Sequence, residues 1–479
     1  MEVISFCKEN PVLQRTVLIV VCLTSFLTPF MLSGVNIALP MIQAEFGASA
    51  VQLTWVITSF LLAISVFLVP MGKLADMYGR RRFFIYGLLG FVITSIGSGL
   101  AVSMPMLIAM RALQGIGGAM LQCTGVAILV SVFPGQQRGR AMGFLLAAVY
   151  LGLSLGPFVG GWLTRVLGWR SIFLLNATLC IYALGLTWAR LKEEWIEGKD
   201  ESFDWQGSLV YGTGLTCFMI GAPRVPDMSA CLLVAAGMGG LIMFVRMEQH
   251  TTYPVLDMHL FSASRAFAFS NVAALIHYAA SYATMFLLSL YLQYMKGMQP
   301  QTAGLILLFQ PVFQAVLSPF AGRLSDRIEP GILASVGMGM TGLGLGFFAY
   351  LRPDSSLVLI VCVLSFMGIG CALFSSPNMN AIMGSVHRRQ YSVAAGISST
   401  MRTLGMMASM GISTVLFAFM LKNAAIEPVT YPLFLKTVRL CFLLFACMCA
   451  CGIYFSLARG KIHGHQGGGR DEEECLQEH

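Results

Sequence analysis

Apolar runs of about twenty residues or more recur along the whole chain, separated by short polar stretches, which is the spacing a helix needs to cross a bilayer. They predict crossings near 16–41, 51–71, 83–103, 105–132, 141–164, 170–189, 206–222, 229–247, 266–295, 302–321, 331–351, 356–380, 392–421 and 434–457. Runs of this length call for helices rather than barrel strands, and the pattern reads as an all-α polytopic membrane protein with about fourteen transmembrane helices. The first run is longer than a signal-peptide core and leads into further crossings, so it is expected to be retained as helix 1.

Composition agrees with this pattern. The 479 residues are 57% hydrophobic and 11% charged, with a mean hydropathy of +0.76, whereas soluble domains carry about a quarter charged residues. Most of the thirteen cysteines lie inside apolar runs, as Cys22, Cys123, Cys180, Cys362 and Cys371 do, and read as small core residues. Cys447, Cys449 and Cys451 have no histidine or carboxylate in their run, so no metal site and no cofactor are expected.

An even number of crossings puts both termini on one side. That side carries twenty of the thirty basic residues, the opposite loops eight, and Arg111 and Arg402 fall within helices. Positive charge marks the cytoplasmic face, so both termini are expected to be cytoplasmic, in the plasma membrane. The net charge of +8 follows from this topology and implies no nucleic-acid partner.

The longest polar stretch, Leu191 to Asp204, separates the first six crossings from the rest. Two loops share a pattern: Gly72-Lys-Leu-Ala-Asp76 and Gly322-Arg-Leu-Ser-Asp326. Both are placed on the cytoplasmic side in parallel orientation, as expected for two six-helix halves related by an axis along the membrane normal. The expected organisation is a first half over 1–190, a linker over 191–204, two inserted helices over 205–248, a second half over 249–459 and a disordered tail over 460–479.

Longer strings extend the pattern. Gly72-Lys-Leu-Ala-Asp76-Met-Tyr-Gly79-Arg80-Arg81-Arg82, Arg111-Ala-Leu-Gln114-Gly115-Ile-Gly117-Gly118 and Gly152-Leu-Ser-Leu-Gly156-Pro157-Phe-Val-Gly160-Gly161 occur in order, on a loop, helix 4 and helix 5. Together with Trp169-Arg170-Ser-Ile-Phe173 they make the chain resemble the major facilitator superfamily, in its fourteen-helix drug:proton antiporter branch. The resemblance implies multidrug efflux by a cell-membrane transporter that works as a monomer on a hydrophobic small molecule within the lipid bilayer. It also implies that Gly72, Asp76, Gly79, Arg80 and Arg81, with Gly322 and Asp326 in the second loop, form a conformational latch. Physically, the glycines permit a tight turn, and a carboxylate beside arginines can pair with them or cap a helix.

Arg111 stands in an apolar helix, where a charge costs at least ~2.5–3.5 kcal/mol, so it should face a cavity or a polar partner, with Gln114 on the same side at i+3. The resemblance assigns this arginine to proton transfer or substrate handling. It also puts helices 1, 4, 9, 10 and 12 around a central cavity, which makes Asn36, His277, Gln310 and Asn378 the candidates for a transport pathway. Glycines at 152, 156 and 160, with Gly161 and the helix-weakening Pro157, suit a closely packed seam or a hinge.

Members of this branch usually carry an acid in helix 1 shortly before the Asn36-Ile-Ala-Leu-Pro40 segment, and Met31 stands at that position. All twenty-two acids are expected in termini or loops. Protons therefore remain an open partner, with His277 the one histidine inside an apolar run. No HExxH, G-x-S-x-G, Walker A or metal-ligand motif is read in the chain, and no enzyme activity is expected. An exporter of hydrophobic small molecules by alternating access leads, with a specific metabolite or anion carrier and a non-transporting receptor or scaffold as alternatives.

Overall fold

The computed structural model describes residues 11–133, 135–196, 202–251, 254–255, 259–325, 327–386, 391–421 and 424–460. Asp326, residues 197–201 of the linker and 461–479 of the tail lie outside them. The described chain is built from fourteen long helices. Thirteen have the length and apolarity for a crossing: α1 (Pro11–Phe46), α2 (Ala50–Tyr78), α3 (Arg80–Gly99), α4 (Met104–Val132), α5 (Gly135–Leu167), α6 (Arg170–Arg190), α8 (Met228–Glu248), α9 (Arg265–Met295), α10 (Pro300–Ser325), α11 (Pro330–Phe348), α12 (Leu357–Gly384), α13 (Tyr391–Leu421) and α14 (Tyr431–Ala458). The remaining one, α7 (Trp205–Gly221), has 17 residues. At about 26 Å it falls just short of a hydrocarbon core of about 30 Å, and the 3-10 turn Ala222–Arg224 continues it.

Local chemistry sets many of the ends. Ser49 and Gln52 form a reciprocal capping box at the start of α2, and Ser103 and Ser264 accept from backbone N–H groups at the starts of α4 and α9. Gly79, at φ 121°, turns the chain between α2 and α3 in a conformation that side-chain-bearing residues rarely adopt. The tight turn expected there is thus one residue long. Asp76, expected in a loop, sits in the last turn of α2. Two further expectations about acids change: Glu45 belongs to the last turn of α1, and Glu248 closes α8 and is buried. Apolar periodicity ran out before these helices did, because backbone hydrogen bonding continues past the last apolar residue.

Two six-helix halves, α1–α6 and α9–α14, repeat one another in packing register. Gly115 of α4 lies against the Phe60 carbonyl and Gly117 against Gly87; Gly368 of α12 lies against the Gln310 carbonyl and Gly370 against Gly337. The partners are 250 positions apart (310 − 60; 337 − 87), the spacing of Asp76 and Asp326. In both halves backbone meets backbone, the close approach that small residues give membrane helices.

The inserted pair packs the same way. Gly214 of α7 meets Gly237 and Gly240 of α8, and the Tyr211 hydroxyl donates to the Ser65 carbonyl of α2 at 2.8 Å. The pair sits against α2, and Met219 reaches Gly411 of α13. Helix α9 is interrupted at Tyr282, where the Ala283 N–H donates to Ser409 of α13 at 3.0 Å, and it ends in a π turn over Tyr291–Met295.

Candidate functional site

The glycine strip of α5 binds helices on two sides. Gly152, Gly156 and Gly160 face α1, where a β-carbon on Gly160 would come 2.8 Å from Gly34 Cα. Gly161 faces the other half, where a β-carbon would come 2.6 Å from the Pro300 carbonyl oxygen, and Gly304 lies against the Pro157 carbonyl. Gly152-Leu-Ser154-Leu-Gly156 also spells the G-x-S-x-G string of hydrolase nucleophile elbows. Here it runs mid-helix with Ser154 buried, and lacks the strand-to-helix turn that an elbow requires.

With α7 counted alongside the thirteen longer helices, both described ends fall on one side, here called the terminal side. On the distal side the halves are sealed. Gln43 of α1 donates to the Ile426 carbonyl at 3.3 Å and accepts from the Tyr294 hydroxyl. Ser289 and Gln293 of α9 donate to the Asn36 and Ile37 carbonyls at 2.8 and 3.1 Å. Arg165 donates to Gln301 at 2.8 Å, and the Ala50 N–H to the Ala424 carbonyl at 3.1 Å. Among the described residues, every hydrogen bond between the halves lies on this side or at mid-depth, where Tyr150 reaches Ser375 at 3.3 Å.

Between the halves, on the terminal side of this seal, lies a cavity of about 840 Å³. Its walls are the middle of α1, α2, α9 and α10 and the terminal-side parts of α4, α5, α12 and α13, and most of its lining is apolar. Of the pathway candidates, Asn36, His277 and Gln310 line it. Each has one buried polar atom without a protein partner among the described residues, as has the lining residue Tyr282. The His277 ring stacks on Phe374, centroids 3.9 Å apart.

Met31, Arg111, Gln114 and Asn378 are not among the lining residues. Met31 is fully buried in the core. Arg111, also fully buried, donates from Nε to the Val56 carbonyl at 3.0 Å and from Nη1 to Gln114 at 2.5 Å, with its guanidinium 4.2 Å from the Phe60 ring centroid. Gln114 passes the network on to Ser95 at 2.7 Å. The arginine thus ties α2, α3 and α4 together. Asn378 turns away toward Arg459, from which it accepts at 2.9 Å, and donates to the Ser270 carbonyl.

The region expected to latch is gathered around Arg80. This buried arginine donates to Asp76 at 2.6 Å and to Ser131 of α4 at 2.7 Å. The Arg81 N–H donates to Glu194 at 2.7 Å, and Arg81 Nε to the Leu191 carbonyl. Of the pairing and capping expected of Asp76, the pairing is seen. These bonds join α2, α3 and α4 of the first half to one another and to the start of the linker.

Arg402, Tyr150 and Tyr282 line the cavity without having been picked out as pathway residues. The signal was available as helical spacing: Ser399, Arg402, Thr403 and Met406 fall at i, i+3, i+4 and i+7, as do Tyr278, Ser281, Tyr282 and Met285.

Two packed six-helix halves around a central cavity in a multi-pass membrane protein are the architecture of a membrane carrier. The family model of the Major Facilitator Superfamily matches residues 21–276 and 270–474, and the chain belongs to that family. Among its curated relatives are the riboflavin transporter RibZ of Clostridioides difficile, 29% identical over 84% of this chain and 87% of that protein, and the multidrug resistance protein Stp of Mycobacterium tuberculosis, 31% identical over 82% and 74%. The tetracenomycin C resistance and export protein of Streptomyces glaucescens is 28% identical over 80% and 72%. In fold, the chain matches a solved peptide transporter, POT in complex with sulfate, with a TM-score of 0.67 at 15% identity over 93% of this chain and 96% of that one.

Proposed function

We propose that this membrane transporter exports hydrophobic small molecules from the cell by alternating access, in the plasma membrane with both termini cytoplasmic. The observation that carries the reading is the large, mainly apolar cavity held between the halves and sealed, among the described residues, on the distal side. Its size falls in the range of pockets that enclose drug-sized ligands, about 300–1,000 Å³. The excess of basic residues on the terminal side makes that side cytoplasmic, so the cavity would load from within the cell. Similarity to proteins named for drug resistance and export supports the direction. A second reading, a carrier for one metabolite, is favoured by the similarity to a riboflavin transporter.

In the exporter reading, substrate enters the cavity, the Arg80 cluster and its counterpart near Gly322 come together as the halves rock, and the distal seal opens. No carboxylate is among the described lining residues, so the cycle is read as weakly coupled to protons or uncoupled. Host cells expressing the chain should accumulate less of a panel of hydrophobic dyes than cells carrying an empty vector. Equal accumulation across the panel overturns export.

A further inference from the structure

We propose that the cavity selects organic anions, with Arg402 as the anchor for their negative group. The inference rests on reading this cavity as the substrate site and names the substrate class for it. Four observations carry it.

The first is the charge inventory. Among the described residues that line the cavity, Arg402 is the only one with a full charge, and no carboxylate stands beside it. Arg402 lies eleven residues into α13, about 16 Å along the helix axis from Tyr391. A cation this deep needs a water-filled space or a counter-ion.

The second is what Arg402 lacks. The buried arginines all bond to protein: Arg80 to Asp76 and Ser131, Arg111 to the Val56 carbonyl and Gln114 against the face of Phe60, with only its Nη2 unpaired among the described residues, and Arg459 to Ser270, Asn378, Ser456 and the Pro330 carbonyl. Arg402, half-buried, makes no hydrogen bond or ion pair among the described residues, and Tyr278 lies within its electrostatic reach. Its planar donor fork is unspent, and that fork matches a carboxylate, sulfonate or phosphate group.

The third is the internal repeat. Gly405 packs α13 onto α9 at the Leu275 carbonyl, as Gly152 packs α5 onto α1 at the Phe26 carbonyl, 253 positions apart (405 − 152). The same shift takes Arg402 to Val149, which also lines the cavity (402 − 149). Packing at this place is thus met by an apolar side chain in the sister half, and the charge answers to something other than the fold.

The fourth is the company. Tyr150, Tyr278 and Tyr282 share the lining with Gln310 and Gln314, and methionines from α5, α9, α12 and α13 fill the gaps between. Aromatic faces and adaptable thioethers suit a flat, greasy body carrying the anionic group. A cationic drug entering the same space would meet Arg402, with no acid among the described lining residues to receive it.

Fluorescein and rhodamine 6G share a xanthene body and carry opposite charge, and both are read by fluorescence polarisation. The purified full-length chain should bind fluorescein at least tenfold more tightly than rhodamine 6G. Arg402→Gln should weaken fluorescein about ten- to a hundredfold, the value of a hydrogen-bonded charge, and leave rhodamine 6G unchanged or tighter. Arg402→Lys should fall between, keeping charge without the fork. Because Arg402 has no hydrogen-bonded partner to lose, the melting temperature of Arg402→Gln should match that of the parent. If the glutamine variant does not fold, the parent's preference and the lysine variant decide the matter.

Equal binding of both dyes, no binding of fluorescein, or fluorescein binding untouched by Arg402→Gln overturns the anion assignment. Flux into liposomes separates this from the export reading. Fluorescein binding without flux keeps the anion site and sinks export, whereas equal flux of both dyes keeps export and sinks the anion site.

Discussion

Two adjacent glycines of α5 should fail in different ways when each is given a methyl group. A β-carbon on Gly161 would lie 2.6 Å from the Pro300 carbonyl oxygen and 2.9 Å from Gln301 Cα, whereas ordinary contact begins at 3.4 Å. Both obstacles are backbone of the opposite half, so Gly161→Ala must part the halves by about 0.8 Å at this point (3.4 − 2.6) or strain them. Overpacking of this kind costs about 1–3 kcal/mol. Since 1.4 kcal/mol is a factor of ten, the distally sealed conformation should lose about five- to a hundred-and-fiftyfold in population relative to a distally open one.

Gly160→Ala instead meets Gly34 Cα at 2.8 Å, inside the first half, in a contact that rigid-body rocking leaves intact. It should lower the melting temperature and leave the conformational balance alone. Spin labels on cysteines replacing the exposed Val102 and Val429, in distal loops of opposite halves, report the difference in a cysteine-depleted background. The expected result is a longer distance population in Gly161→Ala and an unchanged distribution with reduced stability in Gly160→Ala. Identical behaviour of the two variants, or an unchanged distribution in Gly161→Ala, would refute the assignment of this contact to the seal.

Three further outcomes are expected. Asp76→Asn should cut transport strongly at normal expression, because a neutral amide weakens the charge-assisted bond to buried Arg80 without changing shape; Asp326→Asn should be milder, since its loop lacks an arginine triplet, and equal defects in the two variants count against that asymmetry. Arg111→Ala should abolish transport and lower the melting temperature, since the Val56 carbonyl and Gln114 lose their donor at about 1–3 kcal/mol each, and Arg111→Lys should rescue little; normal transport by the alanine variant makes the arginine dispensable. Substrate flux in proteoliposomes should respond weakly or not at all to a pH gradient, and a strong response that survives His277→Gln would point to a carboxylate outside the cavity, Asp76 first.

The order and number of the helices were legible in the sequence because a bilayer leaves a chain few choices: the span length and the need to satisfy every backbone group locally are written in runs of apolar residues. The repeat was legible for a similar reason. Gly-x-Leu-x-Asp at 72–76 and 322–326 is a short-range pattern, and its spacing returned as helix packing between Phe60 and Gly115 and between Gln310 and Gly368. Which polar residues face the cavity was decided elsewhere. Periodicity shows that Arg111, Asn378 and Arg402 interrupt apolar helices, but not what each will meet, because the hydrogen-bond partners come from distant parts of the chain: Val56, 55 positions away, for Arg111, and Arg459, 81 positions away, for Asn378. Only tertiary packing rotates each helix and spends or spares its donors. It buried two of these side chains against protein and left Arg402 facing the space between the halves.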